Sequence, residues 1–196
     1  MRQILSMLFL VTILQGCKGQ TQSKNKELFN KDFNWTIAIP ENFNAVSPQE
    51  LANLQQKGTA AIEKTYDGTV ENNAEPIFVF RSDQFNYFES NYQPFDSSKD
   101  PDYVKSFRNV NNILYNTFKA QMPDAKLDSS SSTTVISGLT FQTFHVSITF
   151  PNKMVMTWLM YSRLFDKNEF TVNIMTTDKQ KEKELLNCWL SSKFDH

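Results

Sequence analysis

The amino-acid sequence predicts an α+β fold, a three-layer α/β/α sandwich around a largely antiparallel β-sheet. Three observations predict it: strands that are apolar on both faces, three amphipathic helices able to cover them, and a run of hairpins between residues 126 and 176 with no helical pattern inside it. The chain has 196 residues, of which 40% are hydrophobic and 13% aromatic, too many for a disordered segment. Residues 32–196 are enough for a single core.

Phe33, Trp35, Ile37 and Ile39 alternate with polar or small residues, the period of a half-buried strand, and Pro40 ends it. Ser47-Pro48-Gln49-Glu50 then reads as a capping box with proline in the first helical turn. Leu51, Leu54, Ala61 and Ile62 follow on one face of a helix to about Thr65, across Gly58. Residues 75–81 (EPIFVFR) form a strand apolar on both faces, which predicts a central place in a covered sheet. Residues 83–96 add a further strand.

Asp100-Pro101 is the expected start of a second helix, with Tyr103, Phe107, Val110, Leu114 and Phe118 on its apolar face. A polar strand over 126–136 turns at Ser137-Gly138 into residues 139–150. There Leu139 and Phe141 are out of phase with Phe144, Val146, Ile148 and Phe150, which predicts a bulge near Gln142-Thr143. Two more strands follow, over 154–165 and 169–176. Asp178 opens a third helix whose Leu185, Leu186, Trp189 and Leu190 are expected to face inward.

The N-terminus reads as an address. Arg2 is followed by an apolar run over residues 4–14, broken only by Ser6 and Thr12. Eleven residues at ~1.5 Å each span only about 16 Å, half of a bilayer's hydrocarbon core, so a signal peptide is the better reading than a spanning helix. Leu14-Gln15-Gly16-Cys17 resembles a bacterial lipobox. The resemblance implies cleavage before Cys17 and acylation of its thiol, the alternative being an ordinary secretory signal with a chance cysteine. The expected organisation is a signal peptide over 1–16, a lipidated cysteine and polar tether over 17–31, and one globular domain over 32–196. Several acyl chains would hold such a protein at a membrane. The tether lacks the acidic cluster after the cysteine that resembles a surface-export signal in Bacteroidetes, which points to a periplasm-facing domain. Lysine far outnumbers arginine and asparagine is abundant, as in AT-rich genomes of that kind.

Composition narrows the chemistry. The 20 basic and 21 acidic side chains leave a net charge of −1, with no footprint for nucleic acid. Two cysteines cannot build a disulfide scaffold, two histidines argue against a zinc site, and five glycines argue against a phosphate-binding loop. The G-x-S-x-G, Walker and H-E-x-x-H patterns do not occur, so neither an enzyme nor a cofactor is expected. Asp96, Asp100 and Asp102 crowd one loop without the spacing of a calcium site. Cys188 and His145 would make a catalytic dyad only if the fold joined them and lowered the thiol pKa. Cys188 on an apolar helix face reads better as a small hydrophobe. The candidate binding surface is the aromatic group Phe85, Tyr87, Phe88, Tyr92 and Phe95, weighed against simple packing on the sheet.

Residues 33–58 (FNWTIAIPENFNAVSPQELANLQQKG) resemble the strand–proline–capped-helix entry of the PsbP-like proteins, a group that shares its fold with DcrB-like bacterial lipoproteins and a yeast Ran-binding protein. The hairpins and last helix over 139–194 fit the same order of elements. The resemblance implies a non-catalytic binding or assembly scaffold and assigns no binding residue. The functional expectation is a lipid-anchored, non-enzymatic envelope protein that binds another envelope protein. The alternative is a small-ligand or glycan-binding lipoprotein with an aromatic cleft.

Overall fold

The computed structural model describes residues 26–69 and 73–195. The lipobox Leu14, Gln15, Gly16 and Cys17 and the signal segment lie outside the described residues. The chain runs β1 (Lys26–Asn30), β2 (Trp35–Ile39), β3 (Asn44–Ala45), α1 (Pro48–Tyr66), β4 (Glu75–Asp83), β5 (Asn86–Pro94), α2 (Tyr103–Gln121), β6 (Lys126–Ile136), β7 (Leu139–Thr149), β8 (Val155–Phe165), β9 (Asn168–Thr176), α3 (Lys179–Leu190) and β10 (Lys193–Phe194). A seven-stranded sheet, in the order β3-β4-β5-β9-β8-β7-β6, is antiparallel throughout. A three-stranded sheet, β1-β2-β10, stands apart from it.

Two apolar clusters define the layers. On one face of the large sheet, Phe80, Phe88, Phe141, Phe170, Val172 and Ile174 pack with Trp35, Ile37, Leu185, Trp189 and Phe194 from the small sheet and α3. Trp35, Phe170 and Trp189 are fully buried, and their rings meet at near-right angles where Trp35 contacts Phe170 (5.1 Å) and Trp189 (5.9 Å). On the other face, Phe144, Val146, Ile148, Met156, Trp158 and Met160 pack under Phe107, Leu114 and Phe118 of α2. The expected three-layer α+β sandwich is therefore observed, with the small sheet sharing the third layer with α3.

Several expectations change in detail. β7 has no bulge at Gln142-Thr143: it pairs with β6 without a break from Leu139 to Thr149, and with β8 from Gln142 onward. The phase change arises because α3 and the small sheet cover its first residues, burying Phe141, while α2 covers the other face further along, burying Phe144. The bulges lie instead in β4, between Pro76 and Phe78 and between Arg81 and Asp83. That strand is not central, because only the two-residue β3 lies beyond it. It is apolar on both sides because Phe80 stacks on Phe88 at 4.5 Å below, whereas Val79 lines a groove above.

The cap of α2 is Asp102, which accepts from the Lys105 N–H at 3.0 Å, and not Asp100. On α3, Asp178 caps as expected, but Cys188 turns inward with Leu185 and Trp189 while Leu190 is exposed. Regular structure is also present before residue 32. Lys26–Asn30 pairs antiparallel with β2, and Leu28, the first apolar residue of the tether, packs on the core.

Ser137-Gly138 makes the two-residue β6–β7 turn with positive φ at both positions (50° and 79°). Serine is an uncommon residue there, and its hydroxyl is tied to β10: the Phe194 N–H donates to Ser137 Oγ at 3.1 Å.

Candidate functional site

α1 is a well-formed helix that buries little. Ser47 Oγ accepts from the Glu50 N–H, and Asp67 closes the C-terminus in the left-handed conformation. Yet no described side chain on α1 is fully buried. Its apolar face (Leu51, Leu54, Ile62) stands over the sheet and roofs a groove of about 530 Å³. The floor comes from Val79 and Arg81 of β4, Tyr87, Glu89 and Gln93 of β5, and Met175 of β9, with Val110 of α2 at the side. Gly58 lies in the roof, and a Cβ added there would meet nothing within 4 Å. An open, mostly apolar concavity of this size is in the range that holds small molecules.

Tyr87, Glu89 and Gln93 enter the groove from one face of β5. Across β5–β9 the register sets Tyr87 opposite Met175, Glu89 opposite Asn173 and Gln93 opposite Glu169. Gln93 Nε2 donates to Glu169 Oε2 (2.9 Å), Ser162 Oγ bonds Glu169 Oε1 (2.9 Å), and the Tyr103 hydroxyl donates to Ser162 Oγ (2.8 Å). This chain of bonds links one end of the groove to the start of α2. At the β4 side, Arg81 forms an ion pair with Glu50 of α1, which ties roof to floor.

Glu89 is half-buried. Burial pushes its carboxyl above the ordinary value of 4.5, offset only in part by a long (3.4 Å) hydrogen bond from Asn91 Nδ2. No Lys, Arg or His side chain pairs with Glu89 among the described residues. Burial, and then the charge of Glu89, also raise the pKa of the neighbouring Tyr87 hydroxyl.

The β4–β5 turn, which carries the groove residue Gln84, is clamped to α3. Asp83 accepts from the Phe85 N–H (2.9 Å), Asn86 Nδ2 (2.8 Å) and Lys181 Nζ (2.6 Å), while Asn86 Oδ1 accepts from the Thr177 and Asp178 N–H groups. Burial opposes ionisation of Asp83, but these donors outweigh it and hold the carboxyl well below its usual range.

The five aromatics singled out from the sequence do not form one surface. Tyr87 alone lines the groove. Phe88 is fully buried on the opposite face, and Tyr92 packs there against Phe33 at 5.6 Å. Phe85 is exposed at the β4–β5 turn, and Phe95 lies edge-on to Tyr103. Cys188 donates to the Ala38 carbonyl (2.7 Å), and burial pushes its thiol up to about 12, against any role as a thiolate nucleophile. No hydrogen bond joins it to His145 among the described residues, and His145 stands between Ser130 and Leu159 of the neighbouring strands. Asp96 and Asp102 spend their carboxylates on local N–H groups, from Ser98 and Lys105. No cluster of potential metal ligands occurs among the described residues.

Sheet order and layers together define a three-layer α/β sandwich, the fold this chain shares with PsbP. The solution structure of cyanobacterial PsbP (CyanoP) from Synechocystis sp. PCC 6803 matches with a TM-score of 0.56 and 12% identity, over 93% of this chain and 99% of that one. The Ran-binding protein Mog1p of Saccharomyces cerevisiae matches with a TM-score of 0.38 and 11% identity, over 83% of this chain and 82% of that one. No family model and no curated protein sequence matches the chain.

Proposed function

We propose that this chain is a lipid-anchored, non-enzymatic binding module of the cell envelope, periplasm-facing and attached through Cys17, with the groove between α1 and the sheet as its binding site. One observation carries the reading: an amphipathic helix held over the sheet with no described side chain fully buried, so that its apolar face lines an open groove of about 530 Å³. A helix draws most of its stability from burying such a face, and an occupant would supply the missing contacts. The membrane part of the reading rests on the lipobox-like Leu14-Gln15-Gly16-Cys17.

Both halves are tested in cells. Cys17→Ala is expected to abolish palmitate labelling and release the protein from membranes, and unchanged membrane association would refute the anchor. Native mass spectrometry of the detergent-extracted protein is expected to show a retained small molecule that Gly58→Leu, projecting into the groove, expels.

A second reading, assembly with another envelope protein, draws on the open edge of the large sheet. Among the described residues the eleven of β6 pair on one side only, Val135 on that strand is 67% exposed, and an unpaired strand edge is a template for a partner strand. Pull-down from solubilised envelopes, with proline placed at Ser131 as the control, tests it: equal recovery by both proteins would refute the edge as the contact.

A further inference from the structure

The floor of the groove carries one carboxylate, Glu89, that has no cationic partner among the described residues. Glu89 lies between apolar walls with a single long bond from Asn91. The other charges at the groove cancel, because the Arg81 guanidinium is engaged by Glu50 of α1. What remains is one uncompensated carboxylate, with the Tyr87 ring two residues away on the same strand face.

We propose that the groove binds an organic ammonium ion, its charged nitrogen on Glu89 beside the Tyr87 ring, and its apolar body along Leu51, Leu54, Ile62 and Val110. The proposal rests on the groove being the binding site. An ammonium gives Glu89 the counter-charge and donors that the protein withholds, and the ring adds a cation–π contact. The specificity is strong because a half-buried carboxylate is poorly satisfied by a neutral ligand and repels an anion.

Three nearly isosteric probes separate the possibilities: 4-phenylbutylamine, 4-phenylbutanol and 4-phenylbutanoate, titrated calorimetrically into the purified domain. The amine is expected to bind at least tenfold more tightly than the alcohol, and the acid more weakly than either. Glu89→Gln should bring the amine to within twofold of the alcohol. Gly58→Leu should remove binding of all three. Equal affinity for amine and alcohol, or an amine preference that survives Glu89→Gln, overturns the ammonium site while the groove stands as a binding site. Binding of none of the three by the unmodified protein, or binding that persists in Gly58→Leu, overturns the groove reading and this proposal with it.

Discussion

Replacing Gly58 by alanine is expected to stabilise the protein, although the residue lines the candidate site. Glycine inside a helix costs about 0.8–1.0 kcal/mol relative to alanine, because the unfolded chain loses more freedom. That gain is realised only where the extra methyl fits. Here a Cβ meets nothing within 4 Å, and no left-handed φ stands in the way. The expected gain is thus about 0.9 kcal/mol, and where it appears depends on how α1 opens. If α1 unfolds only with the whole domain, the melting temperature rises by roughly 2–4 °C for a domain of this size. If the lightly buried helix opens by itself, its amide hydrogens exchange about four- to fivefold more slowly while the melting temperature holds. Hydrogen exchange resolved over α1, read beside calorimetry, distinguishes the two. A lower melting temperature, or unchanged values of both, would refute the helix placement and the open space above the sheet.

Glu89→Gln should raise the melting temperature at pH 7: the folded carboxyl titrates above 4.5, so folding binds protons and stability falls as pH rises through that window. The advantage should vanish below pH 4, and a constant offset across pH would contradict it. Asp83→Ala should cost about 2 kcal/mol, discounted for a side chain that is 39% exposed, and lower the melting temperature by roughly 4–8 °C. Because the Asp83 carboxyl is depressed from 3.8, that cost should persist from pH 8 to 5 and shrink below about pH 4. Trp189→Ala, which empties the space between Trp35, Phe141 and Phe170, should cost about 3–5 kcal/mol in urea denaturation; under 1 kcal/mol would mean the core is not built around it.

The fold was legible because its strongest signals are local. Capping residues at Ser47 and Asp178, the turn at Ser137-Gly138 and two-sided strands such as β8 each have a short-range physical cause. The apparent bulge in β7 shows where that reading stops: the same residues describe a kinked strand or a straight one covered by different layers at its two ends, and only tertiary packing decides. The site was less visible for the same reason. Grouping Phe85, Tyr87, Phe88, Tyr92 and Phe95 by type ignored the alternation of β5, which sends Tyr87 and Glu89 to one face and Phe88 and Tyr92 to the other. Period two was available in the sequence. That the upper face would be roofed by a helix held off the sheet was not, because Leu51, Leu54 and Ile62 look the same over a filled core as over an empty groove.

The pairing of Lys26–Asn30 with β2 shortens the leash. With the proposed acyl group on Cys17, the nine residue steps to Lys26, at ~3.4 Å each, reach no more than about 30 Å. Lys26 would then lie no farther from the anchor than about the thickness of one bilayer core. A ligand released from the lipid surface would meet the domain at high local concentration, whereas anything fixed farther across the envelope would lie out of range.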